Sequence, residues 1–82
     1  MYALMAVLFV GTMSMYGQAE RKFVRKGNRE YEKSKYTEAE IKYRNAIDKD
    51  PGSFEANFNI GDALYEQEKY QEAAKKFGSL TG

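Results

Sequence analysis

The 82-residue chain has no cysteine, no histidine, no tryptophan and a single proline. Without cysteine there is no disulfide framework, no thiolate nucleophile and no lipoprotein-type anchor. With histidine also missing, the usual zinc and haem ligands are gone. The menu for acid–base or nucleophilic chemistry shrinks to carboxylates, lysine, tyrosine and hydroxyl side chains. A net charge of +1 is far from the strongly basic face that nucleic-acid binding wants. Charge is also missing locally: residues 1–19 hold none, so all 13 Lys/Arg and all 12 Asp/Glu lie from Glu20 onward. Those charges make up about 40% of residues 20–82, well above the ~25% of an ordinary globular domain. So short a charged stretch is one small domain, because conformational entropy roughly cancels what its burial gains.

Residues 2–10 read YALMAVLFV, an almost unbroken apolar run, and small and polar residues follow in GTMSMYGQA. An apolar core ending in small residues, here Gly17 and Ala19, has the form of a secretory signal peptide cleaved before Glu20. No basic residue precedes the core, and Arg21, Lys22, Arg25 and Lys26 crowd its far side. The positive-inside tendency would hold such a cluster in the cytoplasm. The alternative is therefore an uncleaved anchor, since a 19-residue helix spans roughly 28 Å, about a bilayer core. The chain divides into residues 1–19, a signal peptide or anchor, and residues 20–82, the folded domain.

The domain carries an internal period. Gly27 recurs as Gly61, Tyr31 as Tyr65, Lys35 as Lys69, Tyr36 as Tyr70, Glu38 as Glu72, Ala39 as Ala73 and Tyr43 as Phe77, every time at an offset of 34. Such self-similarity marks a repeat of one supersecondary unit. Repeat one covers about residues 20–53 and repeat two about residues 54–82, the second being short of a full unit.

Each unit reads as two helices. The first is expected over Arg21–Lys33 and the second over Thr37–Lys49, where Thr37 and Glu40 have the spacing of a capping box. Asp50-Pro51-Gly52-Ser53 should stop that helix, because proline disfavours helical geometry in its predecessor and lacks the N–H. Ser53 can then cap a third helix over Phe54–Glu68, and a fourth begins near Gln71. Ala39, Tyr43, Ala46 and Ile47 share one face of the second helix. On the third helix Phe54, Phe58, Ile60, Gly61, Leu64 and Tyr65 make a broader apolar face. Gly61 and Ala73 permit paired helices to approach closely, and Tyr36 and Tyr70 can fill the wedge near the turn.

The period, the GN(x)2Y helix, KY(T/Q)EA, Ala46-Ile47 and Asp50-Pro51 resemble the tetratricopeptide repeat. That resemblance implies an all-α fold: antiparallel helical hairpins of a right-handed solenoid, here preceded by an N-terminal apolar helix. It also implies protein–protein binding in an inner groove. The phrases ERKFVRKGNREY, YTEAEIKYRNAI and SFEANFNIGDALY further resemble tetratricopeptide proteins of the bacterial aerotolerance (Bat) operon, which are exported or envelope-associated. That implies partners among membrane proteins with von Willebrand A-type domains. Lys26 and Glu30 stand where the family usually has apolar residues, as suits a terminal helix with one face in water, and Asn57 stands where it has a large aromatic. A third repeat is normally needed for stability. Either the chain continues beyond Gly82, or its exposed face pairs with a partner or a second copy.

Carried over by position, the inner groove would be lined by Arg21, Val24, Asn28, Tyr31 and Glu32 of repeat one. Repeat two would supply Glu55, Phe58, Asn59, Asp62, Tyr65 and Glu66. Aromatics there give contact area at small entropy loss, asparagine offers both donor and acceptor to a peptide backbone, and the walls would be of mixed sign. The plainer reading is that Tyr31, Phe58 and Tyr65 are core. Asn28 and Asn59 fall where carboxylate-clamp members hold a peptide's terminal carboxylate, but Val24 stands where the clamp needs lysine, so the reading goes against a clamp. The charged faces are expected to be solvated, with i,i+4 pairs such as Glu38–Lys42. The cluster Arg21/Lys22/Arg25/Lys26 also suits an anionic membrane surface.

Nothing points to an enzyme or a cofactor. Asp48 and Asp50 flank a Pro-Gly turn, where aspartate serves the backbone, and no glycine-rich phosphate loop occurs. A carboxylate-based hydrolase would have to lose activity by one Asp or Glu change with the fold intact. The sequence thus reads as a protein–protein adaptor of the periplasm or cell envelope, membrane-associated only through residues 1–19. The alternative is a structural module that self-associates through its exposed terminal hairpin.

Overall fold

The computed structural model describes residues 2–81, with side chains described from residue 17 onward. It contains four helices: α1 (Tyr2–Glu32), α2 (Tyr36–Lys49), α3 (Phe54–Glu66) and α4 (Tyr70–Thr81). Among the described residues there is no strand. α1 packs on α2, α2 on α3 and α3 on α4, and α3 also touches α1. The result is two successive antiparallel hairpins.

α1 begins far earlier than Arg21. Gln18-Ala19-Glu20-Arg21 contains no proline and is rich in good helix formers, so nothing interrupts propagation at the expected cleavage point. The reading of residues 1–19 as signal peptide or anchor falls mostly on residues 1–16, whose side chains lie outside the described part. Among the described residues no helix is long and apolar enough to cross a membrane.

Both hairpins turn the same way. α1 ends with Lys35 N–H donating to Glu30 C=O and Ser34 N–H to Tyr31 C=O, each 2.9 Å. α3 ends with Lys69 N–H donating to Leu64 C=O and Glu68 N–H to Tyr65 C=O, again each 2.9 Å. These paired bonds are the Schellman pattern. It puts Ser34 at φ 62° and Glu68 at φ 63°, in the left-handed region. Over each turn lies an edge-to-face aromatic pair, Tyr31–Tyr36 at 5.0 Å and Tyr65–Tyr70 at 5.1 Å between ring centroids.

The capping box does not form. α2 starts one residue early, at Tyr36, and its N-cap Lys35 makes no side-chain bond. Thr37 is thereby moved inside the helix, and its hydroxyl donates instead to Gln67 Oε1 at 3.2 Å. Glu40 accepts from Arg44 Nε at 2.8 Å and from Gln67 Nε2 at 2.9 Å, so it joins α2 to the end of α3 rather than reaching back. The ion pair on this helix is therefore Glu40–Arg44, not Glu38–Lys42.

The turn between the hairpins follows its residues. Asp50 is extended (φ −148°, ψ 92°) ahead of Pro51, and its carboxylate accepts from Gly52 N–H at 3.1 Å. Asn57 ties the same turn down by donating to Ser53 C=O at 2.8 Å. Ser53 caps α3, its hydroxyl oxygen accepting from Ala56 N–H at 3.2 Å. That hydroxyl also donates to Glu20 Oε2 at 2.7 Å, where both residues are buried.

The core is built largely of small residues. Ala39, Ala46, Ala56, Ala63 and Ala73 are essentially inaccessible, and Tyr43 and Ile60 are the largest fully buried side chains. Where the alanines meet, helix axes come close. A Cβ at Gly27 would overlap the Tyr43 ring, and one at Gly61 would overlap the Phe77 ring. The two glycines occupy equivalent places one repeat apart, as the 34-residue period requires.

Candidate functional site

Helix geometry decides which of the expected groove residues meet. Residues three and four apart on one helix are neighbours, so Asp62 and Glu66 stand one above the other on α3. The charges of both act on Tyr31 of α1, whose hydroxyl is held above the usual tyrosine range by burial first and then by Glu66 and Asp62. Asp62 is itself raised above the ordinary carboxylate range, by burial and then by the charge of Glu66. Tyr31, Asp62 and Glu66 thus form one cluster across the α1–α3 seam.

Tyr43, expected on the α2 stripe and in the 34-residue period but not in the groove, supports that cluster from beneath. Its ring is buried under Gly27, and its hydroxyl donates to Asn28 Oδ1 at 2.7 Å. Burial pushes its pKa up to about 12, with Tyr31, Asp62, Glu55 and Glu32 also opposing ionisation. Asn28 is consequently half-buried, with one side of its amide committed inward. The tie spans 15 residues, so no local motif announces it.

The remaining expected residues divide. Glu32 and Glu55 are exposed and Asn59 is half-buried. Tyr65 is exposed and pairs with Tyr70 at the turn. Val24 is only 3% exposed and belongs to the core, not to a binding wall. The Arg21 side chain lies back along its own helix, its guanidinium beside Gly17. Phe58 does not join Tyr31. It packs with Phe54 at 6.0 Å and with Phe77 at 5.3 Å between centroids, on the face of the second hairpin directed away from the first. The third helix is thus apolar on two sides: Ile60 and Leu64 turn inward, while Phe54 (63% exposed) and Phe58 (43%) turn outward.

The walls expected to be of mixed sign are acidic around Tyr31. The ion pairs among the described residues are Lys33–Glu30 and Arg44–Glu40. Glu32, Glu55, Asp62 and Glu66 take part in neither. Such an arrangement can offer a partner an aromatic hydroxyl, an asparagine amide and four carboxylates. Among the described residues no group of three or more acidic side chains is close enough to hold a metal ion.

A family model described as tetratricopeptide repeat matches residues 24–80, well over half of the chain. Searches of curated proteins and of solved structures give no significant match.

Proposed function

This chain belongs to the tetratricopeptide repeat family, whose repeats generally mediate protein–protein interaction, and from that premise we propose that it is an adaptor of the cell envelope. Its α1–α3 groove binds an extended partner segment bearing lysine or arginine. One observation carries the reading: Tyr31, Asp62 and Glu66 converge across the seam with Asn28 and Tyr43 behind them. The four carboxylates without ion-pair partners favour a cation. The hairpins are packed before any partner arrives, so little ordering cost is added on docking.

The envelope assignment rests on the apolar run of residues 2–10 and the small residues Gly17 and Ala19. Export to the periplasm with cleavage before Glu20 is the preferred form, and retention as a membrane anchor the alternative. Likeness of its phrases to aerotolerance-operon proteins supports envelope membrane proteins with von Willebrand A-type domains as partners. N-terminal sequencing of the mature protein, with fractionation, decides between the two forms: a start at Glu20 means export, and an intact N-terminus in the membrane fraction means an anchor.

Binding is tested by placing a photocrosslinking amino acid at Glu32 or Glu55, on the groove side, and at Glu38 or Lys75, on the second helices. Adducts with a discrete partner from the groove positions alone are the expected result. Equal adducts from both sets would refute the groove.

A further inference from the structure

The side of α1 turned away from the core carries charge of one sign. At about 3.6 residues per turn, Lys22, Arg25, Lys26, Arg29 and Lys33 fall opposite the buried Val24 and Gly27. Four of them are exposed, and Lys26 is half-buried with its ammonium 5.5 Å from the centroid of the Phe23 ring. Lys33 pairs with Glu30 at 3.8 Å, while the other four join no ion pair among the described residues. The row extends over roughly 17 Å of helix. The carboxylates of α1 leave it unneutralised: Glu20 is turned inward to Ser53, Glu30 is half-buried and Glu32 sits at the groove edge.

The period shows that no further repeat covers this side. Lys22, Lys26 and Arg29 correspond to Ala56, Ile60 and Ala63, which are inaccessible because α3 packs there on the first hairpin. A helix laid on α1 in the same way would strip three cations of water with no carboxylate to meet them. The side is therefore open by its own residues, whatever lies upstream. It is also poorly made for a protein partner, whose interface wants an apolar centre and charge at the rim. Here the cations hold the centre and Phe23 only the edge. Nucleic acid wants a broader basic footprint than one helix side on a chain of net charge +1. A row of cations on long flexible stems suits a diffuse sheet of negative charge. Anionic lipid headgroups attract each Lys or Arg near their surface without requiring a fixed register. The row's place in the chain agrees, since the apolar run of residues 2–10 lies upstream on the same helix.

We propose that α1 lies along an anionic membrane surface through Lys22, Arg25, Lys26, Arg29 and Lys33. The contact is separate from the groove, and it operates whether residues 1–19 are cleaved or kept.

Flotation of the 82-residue chain with lipid vesicles tests it. Residues 1–19 carry no charge and should partition alike into phosphatidylcholine vesicles and into vesicles of equal parts phosphatidylcholine and phosphatidylglycerol. The excess binding to the anionic vesicles therefore belongs to the row. Arg25→Glu with Arg29→Glu should cut that excess by about tenfold or more while circular dichroism keeps its helical signal. Lys75→Glu with Lys76→Glu, the same change of charge on α4, should leave most of it. Since the chain has no native cysteine, a dye on a single cysteine reports which side faces the lipid. Quencher-bearing headgroups should dim a dye at Lys33→Cys and spare one at Ala74→Cys on α4. Equal binding to both vesicles, equal losses from the two glutamate pairs, or equal quenching at the two positions would each overturn the proposal. Tighter binding to polyglutamate than to the anionic vesicles would overturn it in favour of an acidic protein. None of these results depends on Tyr31, Asp62 or Glu66, so the groove stands or falls separately.

Discussion

Gly27 leaves room for Tyr43: the tyrosine ring occupies the space a Cβ on residue 27 would fill. Gly61 stands in the same relation to Phe77, yet the two sites should tolerate alanine differently. Alanine gains ~1 kcal/mol over glycine in a helix interior. Overpacking a tight contact costs ~1–3 kcal/mol. The Tyr43 ring is buried and tethered to Asn28, so it cannot yield. Phe77 is half-exposed beside the open face and can swing aside. Thermal melts should show Gly27→Ala clearly destabilised and Gly61→Ala near neutral. Equal losses would mean that the second hairpin is as rigid as the first.

Burial also gives Tyr43 a signature in alkali. Tyrosine ordinarily ionises near 10, and folded Tyr43 resists until about 12. Between those values the unfolded chain releases a proton that the folded chain keeps. Stability from this residue is therefore complete below pH 10 and falls as pH rises towards 12. Tyr43→Phe should cost about 1 kcal/mol at neutral pH through the lost hydrogen bond and should flatten part of the alkaline decline. Tyr31, shifted in the same direction, leaves a residual slope.

Ser53 links α3 to α1 through a single oxygen. It accepts from Ala56 N–H and donates to Glu20. Removing it takes away a helix cap worth ~1 kcal/mol and leaves a buried carboxylate short of a donor, ~1–3 kcal/mol more. Ser53→Ala should thus lose roughly 2–4 kcal/mol in urea melts. In the Glu20→Ala background the same change should cost only the cap. Additive losses in that double-mutant cycle would show the hydroxyl–carboxylate bond to be idle.

What the sequence disclosed and what it hid divide along a physical line. The 34-residue period exposed the helices, the close glycines and the alanine core, because packing of each unit on the next imposes the same residue at the same place. Phe54 and Phe58 read from the sequence as part of one broad apolar face, with Phe58 in the expected groove; periodicity marks them apolar but cannot say which of two helix faces has a neighbour. Thr37 and Glu40 carried a local motif that lost to Gln67, a partner 30 and 27 residues away. The Ser53–Glu20 and Tyr43–Asn28 bonds are likewise long-range. Both helix ends at Ser34 and Glu68 were hidden for the opposite reason: the left-handed position usually announces itself as glycine, and here it does not.

Those two positions are accordingly where stability can be added. A non-glycine residue in the left-handed region costs roughly 1–2 kcal/mol, part of which glycine returns as unfolded-state entropy. Ser34→Gly and Glu68→Gly should each raise stability by about 0.5–1 kcal/mol. The sites lie in separate turns, so the gains should add in the double variant. A loss at either site would mean that its side chain makes a contact stronger than the backbone strain it causes.

Asp62 should show the opposite of a stabilising residue, since burial and then the charge of Glu66 oppose its ionised form. Its folded-state pKa is raised from 3.8 by burial and by Glu66. The folded chain therefore holds this proton more tightly than the unfolded chain. The residue's contribution is most favourable below pH 3.8 and is lost as pH rises through its elevated folded value. Asp62→Asn should raise the melting temperature at pH 7, with the gain shrinking as the medium is acidified towards pH 3.8. Glu40 runs the other way. Burial opposes its charge, but hydrogen bonds from Gln67 and Arg44 outweigh that and lower it below 4.5, so its stabilisation is lost in acid. Comparing Asp62→Asn with its parent isolates the one residue. The same substitution should weaken binding of a lysine- or arginine-bearing segment, most strongly at low salt, where charge pairs are least screened. A variant that is more stable and binds such a segment as well as the parent would remove Asp62 from the groove.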